Sequence, residues 1–486
     1  MSEVLDYAIV GSGFSGLGMA INLKRSGRHD FVVLEKAADV GGCWRDNTYP
    51  GCGCDIPSHL YSFSFEQRPD WSRKYPLQQE IHQYLKHCVA TYGLAPHLRL
   101  NAEVQRLRYL DEERLWCIEL ADGSQLRARF VMLGKGPLHV PSIPDLPGLD
   151  SFRGKVFHSS NWDHSYDLRG KKVASIGTGA SAIQYIPQIA PLVEELSLFQ
   201  RTPAWVLPRP DRRMSGVEQK LFALFPPLQY LYRHVLFRVH EMRLKAMQAG
   251  SFANRMASRM AKRHIEQHIP QADKRRKLTP NYMLGCKRIL ISNDYYPAVA
   301  RSNVELIASG VSAVGEHHVI ATDGTRKEVD AIIFGTGFEV MDAMVPPGFI
   351  IGPGGEDLGQ RWLEQGTTAF RGVSIPGMPN LFCLIGPNSG LGHNSMILMI
   401  EAQIGYILNC LDHLQRNGLS QLDVRDEVAR DYSEAMQVEL KDSVWLSGCS
   451  SWYLGKDGRN VTLWPAAVAT YQKLMKSLPL ASYRWD

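Results

Sequence analysis

Residues 6 to 35, DYAIVGSGFSGLGMAINLKRSGRHDFVVLE, constrain this chain more than any other stretch. An apolar, β-branched run over residues 7 to 10 meets Gly11, Gly13 and Gly16 at G-x-G-x-x-G spacing. A helix-length segment follows, then a second apolar strand ending in Glu35. That order predicts a βαβ unit of the kind that binds a dinucleotide. Gly11 serves the tight turn, Gly13 lets the backbone approach a pyrophosphate, and Gly16 lets helix and strand pack closely. The unpaired N–H groups of the helix start then face the phosphates, and Glu35 accepts from ribose hydroxyls.

The pattern recurs from Lys171 in KKVASIGTGASAIQYI, where Gly177, Gly179 and Ala182 keep the spacing and Ser181 sits at the helix start. The strand that follows ends LSLFQRT. Glu35 lies 19 residues past Gly16, and Arg201 lies 19 past Ala182, so the two residues hold the same place in two repeats. A carboxylate there accepts from a free ribose 2′-hydroxyl and repels a 2′-phosphate, whereas an arginine pairs with that phosphate. The first site therefore suits FAD and the second NADPH. The predicted fold is α/β, with two Rossmann-like dinucleotide-binding domains.

Between the repeats, residues 41 to 65 are dense in Gly, Pro and aromatic residues and predict a long ordered loop, with Asp55 its most suggestive ionisable group. Residues 100 to 135 alternate as short antiparallel strands do, and four prolines between 137 and 147 mark a boundary. Residues 213 to 280 predict a helical insertion in the second domain, with Phe222, Phe225, Tyr230, Tyr232, Met256 and Met260 as ordinary helix packing. The run DAIIFGTGF, residues 330 to 338, is expected to return to the first sheet. Residues 381 to 407 supply a strand, a glycine-rich turn and a helix starting near Asn394, a third place where backbone N–H groups could meet a cofactor. The expected division is 1–150 with 328–486 for FAD, 151–212 with 281–327 for NADPH, and 213–280 for the insertion.

The 486 residues carry a net charge of +5, but residues 212 to 277 hold fifteen Lys/Arg against four Asp/Glu, leaving the remainder net acidic. A solvated helical face is the commoner outcome of such a run; weak contact with a membrane surface stays open, and nucleic acid is not expected. With no signal-like opening and no uninterrupted apolar stretch of ~18 residues, the chain reads as cytoplasmic. Nine cysteines without a C-x-x-C pair fit reduced thiols better than a disulfide framework. Cys52 and Cys54 read as small buried loop residues, and no metal site is expected. Lacking a redox dithiol, the chain does not fit a flavin disulfide reductase.

Between the two fingerprints, FRGKVFHSSNWD (residues 152 to 163) matches F-x-G-x-x-x-H-x-x-x-W-[P/D], and G-G-x-W-x-x-x-x-Y-P-G-x-x-x-D is met by Gly41, Gly42, Trp44, Tyr49, Pro50, Gly51 and Asp55. Over most of its length the chain resembles the type I Baeyer–Villiger monooxygenases. The resemblance implies NADPH reduction of FAD, and a flavin peroxide that inserts one oxygen atom of O2 beside a ketone carbonyl to give an ester or lactone. The alternative is a heteroatom-oxygenating flavin monooxygenase acting on nitrogen or sulfide substrates. Oligomeric state stays open. Asp55 corresponds to the family's flavin-facing acid and Arg288 to its active-site arginine, while Arg201, Thr202 and Lys287 correspond to the NADPH phosphate contacts. Trp452 resembles a tryptophan on a mobile C-terminal loop that touches NADPH. Gly42, Trp44, Tyr61 and Asn394 join the candidate cofactor contacts, and His158 is expected to link domains and to carry no catalytic proton. Lys135, in LGKGPL, departs from the small residue or Thr common in relatives.

Overall fold

The computed structural model describes residues 4–340, 344–455 and 457–486. Strand β1 (Val4–Val10), helix α1 (Phe14–Arg25) and β2 (Phe31–Leu34) form the expected βαβ unit, with Tyr7 beside Phe31 and Val10 beside Leu34 in parallel register. The last four residues of β1 are buried, as a parallel strand covered on both faces requires. Helices α2 (Cys43–Asp46) and α3 (Gln78–Thr91) bracket the long loop, and β3 (Leu98–Arg99) extends the sheet beyond β2.

The antiparallel strands β4 (Val104–Leu110), β5 (Leu115–Leu120) and β6 (Gln125–Leu133) follow as the alternation predicts. Strand β6 runs beside β1 and is shared on its other edge: its first residues pair with β5, and Val131 to Leu133 pair with a strand from late in the chain.

The second sheet is wholly parallel. It contains β7 (Lys155–His158), β8 (Lys172–Ile176) and, after α4 (Ala182–Ile189), β9 (Glu195–Phe199). The insertion leaves through β10 (Val206–Leu207) and comprises α5 (Gly216–Leu224), α6 (Pro226–Met242), α7 (Phe252–His268) and α8 (Ala272–Leu278). It re-enters at β11 (Leu290–Ile291), which pairs with β10 and closes the neck. Helix α5 starts on a capping box, Ser215 and Glu218 each satisfying the other's backbone.

After α9 (Tyr295–Val299) the chain adds β12 (Val304–Ile307), a β13–β14–β15 meander (Val311–Gly315, His318–Ala321, Arg326–Glu328) and β16 (Ala331–Phe334). The order of the second sheet is β12-β9-β8-β16-β7. The expectation that residues 330 to 338 rejoin the first sheet is thus corrected: β16 pairs with β7 and β8 in the second. An apolar run before Gly-Thr-Gly has the same composition in either sheet, so only its partners decide. The return comes later, through β17 (Ile350–Ile351) beside β4 and, after α10 (Leu358–Gln365), β18 (Leu381–Cys383) beside β6. Helix α11 (Met396–Asn417) then packs into the core that α1 and α3 share.

Two further expectations change. Phe222 is buried and Tyr232 half-buried, but Phe225, Tyr230, Met256 and Met260 lie on the surface. Cys286 and Cys449, 163 residues apart, form a disulfide, so the all-thiol reading fails for this pair; sequence spacing cannot show two distant loops meeting. The other seven cysteines are free, with Cys52 and Cys54 buried as expected. Among the described residues no helix is long and apolar enough to cross a membrane.

Candidate active site

Glycine geometry builds the two nucleotide sites alike. Gly11 has φ +98° and Gly177 φ +105°. A Cβ on Gly11 would lie 2.9 Å from the Gly134 carbonyl after β6, and one on Gly177 would lie 2.5 Å from the Gly335 carbonyl after β16. Each fingerprint turn therefore closes on the glycine ending the neighbouring strand. A Cβ on Gly16 would come 1.8 Å from the Gly11 carbonyl, the close helix–strand packing the sequence predicts. Gly13 ends in open space; its nearest neighbour would be Gly42 at 3.8 Å.

A cavity of about 630 Å³ opens in front of α1, within the ~300–1,000 Å³ range of cofactor sites. Of the predicted residues, Gly11, Gly13, Glu35, Gly42, Trp44, Tyr61, Arg288 and Trp452 line it. Helix α1 starts there with no side-chain cap and no acid in its first turn, so its orphan N–H groups face the cavity as a diphosphate needs. This end of the cavity fits FAD. Both Glu35 oxygens are engaged: Oε2 accepts from Ser12 N and Oγ at 3.0 and 2.7 Å, and Oε1 from Ala37 N at 3.0 Å and Arg45 Nη1 at 2.9 Å. Glu35 therefore orders the turns around the site as well as lining it. Trp44 Nε1 donates to Tyr61 Oη at 3.0 Å, fixing both rings on the wall.

Arg288 stands at the cavity, and its Nη2 donates to Asp55 Oδ2 at 2.5 Å, with the two side chains 38% and 30% exposed. Burial by itself raises the Asp55 pKa, but the Arg288 charge and hydrogen bond, aided by Arg209, outweigh it and hold the carboxyl below its usual range. The Asp55 charge in turn raises Arg288, so this cation persists at every working pH. Asp55 does not line the cavity; its contact with the site runs through Arg288.

The long loop reaches this position by bridging the two sheets. Gln184 of α4 accepts from Tyr49 Oη at 3.0 Å and Gly53 N at 3.2 Å and donates to Gly53 O at 3.0 Å. Arg209 Nη2 holds the Cys54 carbonyl at 3.0 Å, so the two residues leading into Asp55 are both anchored from the second unit.

At the second site α4 also starts without a side-chain cap or an early acid, with Ser181 as its cap residue. A Cβ on Gly179 would meet the Gly335 carbonyl at 3.7 Å, so this position too is open. Thr202 offers its carbonyl to Thr178 Oγ1 at 3.3 Å. Arg201 is exposed, and Lys287, one residue from Arg288, feels its charge: burial lowers the Lys287 pKa and Arg201 lowers it further. Two cations near enough for one to lower the other's pKa suit the charge of a 2′-phosphate.

Asn394 is displaced from its predicted place. It does not line the cavity; its amide donates to Glu241 Oε1 at 2.9 Å, and Met396 and Ile397 of α11 face the cavity instead. Glu241, at the end of α6, also meets His393 at 3.2 Å and the Val468 N–H at 3.2 Å, tying the insertion to the glycine-rich turn. His158 is buried and bonds Ser160 through Nδ1 at 2.8 Å, away from the cavity lining.

Lys135, singled out in the sequence for its departure from relatives, lines the cavity, whereas sequence reasoning missed Tyr453 and His240. Tyr453 is buried against Trp452, with centroids 4.4 Å apart, and burial pushes its phenol up to about 12 despite the charge of Arg288. Burial and Arg243 push His240, on the inward face of α6, down to about 3, so it stays uncharged. The Cys286–Cys449 bond joins the strand-neck segment carrying Lys287 and Arg288 to the segment carrying Trp452.

A profile of flavin-binding monooxygenase-like proteins matches residues 6–345. A Streptomyces coelicolor protein named Baeyer-Villiger monooxygenase is 48% identical over 484 residues, covering 99% of this chain and 93% of that protein. A Pseudomonas aeruginosa protein of the same name is 47% identical, covering 98% and 90%. Among solved structures, cyclohexanone monooxygenase from Rhodococcus sp. Phi1 bound to NADP+ superimposes with TM-score 0.90 at 27% identity, both chains covered in full. Oxidized steroid monooxygenase bound to NADP gives 0.88 at 27% identity, with 99% of each chain covered. With two fingerprint turns built alike and a match over more than half its length, this chain belongs to the flavin-binding monooxygenase-like family.

Proposed function

We propose that the protein is an NADPH-dependent, FAD-containing Baeyer–Villiger monooxygenase that converts a ketone, O2, NADPH and a proton into an ester or lactone, water and NADP+. The observation that carries this reading is the Arg288–Asp55 pair, a permanent cation at the cofactor cavity, aimed by a carboxylate whose loop is held by Gln184 and Arg209 of the second unit. FAD reduced by NADPH supplies the oxygen-activating chemistry. The residues of the chain bind, orient and shield.

Arg288 offers a fixed positive charge wherever negative charge develops on oxygen, with no reorganisation at the moment of reaction. Asp55 fixes the direction of that charge. Gly11, Gly13 and the α1 N-terminus hold the FAD phosphates; Gly177, Gly179 and Ser181 face those of NADPH, and Arg201, Thr202 and Lys287 select its 2′-phosphate. Trp452 and Tyr453 cover the cavity against water, which would otherwise divert the reaction to hydrogen peroxide. The cytoplasmic location read from the sequence belongs to this proposal.

The test is to incubate the FAD-loaded enzyme with NADPH and oxygen across linear, cyclic and aryl ketones and identify products. An ester or lactone formed in step with NADPH use is expected. Flavin bleaching by NADPH with no ketone converted, and sulfides oxidised instead, would transfer the protein to the heteroatom-oxygenating class.

A further inference from the structure

Helix α6 wears its sides reversed. Its inward face carries Gln229, Arg233, Leu236 and His240, three of them polar, while Leu228, Leu231, Val235, Val239 and Met242 form a stripe on the solvent side. Leu224, at the end of α5, continues that stripe and is 72% exposed. Of the 22 large apolar side chains exposed among the described residues, 13 fall between residues 217 and 260, so this is a concentrated patch and not the ordinary scatter of a surface.

Charge on this segment has one sign. Lys220, Arg238 and Lys245 are exposed around the stripe. The two carboxylates between residues 215 and 263 are occupied: Glu218 is bound by Arg212 at 2.7 Å, and Glu241 turns inward to His393 and Asn394. A second copy of the chain docked about a two-fold axis would set these cations against each other. An anionic surface with an apolar interior complements both features at once.

We infer that the outer face of α5 and α6 is a peripheral membrane-binding surface, its apolar stripe entering the headgroup–acyl boundary of a bilayer and its lysines and arginines pairing with anionic phospholipid headgroups. Helix α6, about 25 Å long at ~1.5 Å per residue, lies in the interface plane and does not span it. The polar inward face keeps the helix anchored to the protein: Gln229 Nε2 donates to the Arg68 carbonyl at 2.7 Å and Arg233 Nη1 to the His59 carbonyl at 2.5 Å. This surface is independent of the reaction proposed above.

The experiment floats FAD-loaded, full-length protein with phosphatidylcholine vesicles prepared with and without phosphatidylserine. Wild type should rise with the serine-containing vesicles at low salt and release as salt is raised. The Leu231→Glu, Val235→Glu variant should lose roughly tenfold or more of that binding, with flavin content and ketone turnover unchanged. Should it fold poorly, Leu231→Gln, Val235→Gln serves, and Lys220→Gln, Arg238→Gln removes charge alone and should abolish the preference for phosphatidylserine. Failure of wild type to float on anionic vesicles overturns the inference, as does equal flotation of the stripe variant. A dimer in sedimentation that the stripe variant splits, without vesicle binding, overturns it in favour of a second copy.

Discussion

A guanidinium 2.5 Å from a carboxylate is the smallest unit of the proposed reaction. Arg288→Ala should still bind FAD and still be reduced by NADPH, since neither step needs that charge. Oxygen transfer should slow by ~10²–10³, the usual loss on removing one preorganised electrostatic donor. Asp55→Ala should show a milder defect, because the cation stays and only its aim changes. The measurement is ester formed per NADPH consumed, with hydrogen peroxide as the diverted product; a ratio equal to wild type removes Arg288 from the mechanism. Arg201→Ala tests the register argument: NADPH binding should weaken by ~1.5–3 kcal/mol, the worth of a hydrogen bond to a charged group, with NADH little affected, and an unchanged NADPH/NADH preference refutes it. Arg201 was legible from its register with Glu35, whereas the roles of Asp55 and Arg288 came through the family resemblance. The burial of Tyr453 and His240 was not legible, since no motif carries either residue, and Asn394 went astray because its partner, Glu241, lies 153 residues away.

At the scale of elements, fingerprints and strands could be read from periodicity, and pairings could not. Strand β16 carries the same apolar run whichever sheet receives it. The insertion was recognisable as helical, yet which side of α6 faces inward is set by His59 and Arg68 of the long loop, which offer carbonyls that only polar side chains can use. Two cysteines 163 residues apart showed no pattern, although their bond ties the Arg288 segment to the Trp452 segment. That tether has a measurable consequence. Opening it with a mild reductant, or by Cys449→Ser, should free the chain around Trp452, so limited trypsin cleavage after Arg459 should accelerate, with cleavage elsewhere unchanged. Equal rates before and after reduction would show that packing, not the bond, holds the segment.

For the whole molecule, the two-unit architecture followed from two copies of one motif, and the structure repeats it down to the paired closures of Gly11 on Gly134 and Gly177 on Gly335. The same symmetry sets Lys135 in the place Thr336 holds in the second unit, each following the closing glycine. Lys135 lines the cavity with its Nζ 4.5 Å from the Phe349 ring centroid, and burial, then Lys36, pushes its pKa down to about 8. The unfolded chain titrates this lysine near 10.4. Between those values the folded state holds fewer protons than the unfolded one, so its contribution to stability rises with pH. Below about 8 the folded protein carries the full penalty of a half-buried charge, and above about 10.4 it carries none. Flavin-free wild type should therefore be less stable than Lys135→Met at pH 7, by on the order of 1–3 kcal/mol after allowance for screening, and the gap should close by about pH 10. Bound FAD brings diphosphate charge into the cavity and should lift the lysine back toward its ordinary value, so the pH-dependent part of the gap should vanish in the loaded enzyme. Thermal unfolding of both proteins, with and without FAD, across this range decides the matter. A gap constant with pH in the flavin-free pair would mean that Lys135 titrates normally and acts only as packing, and a gap unaltered by FAD would place the lysine beyond the reach of the cofactor's charge.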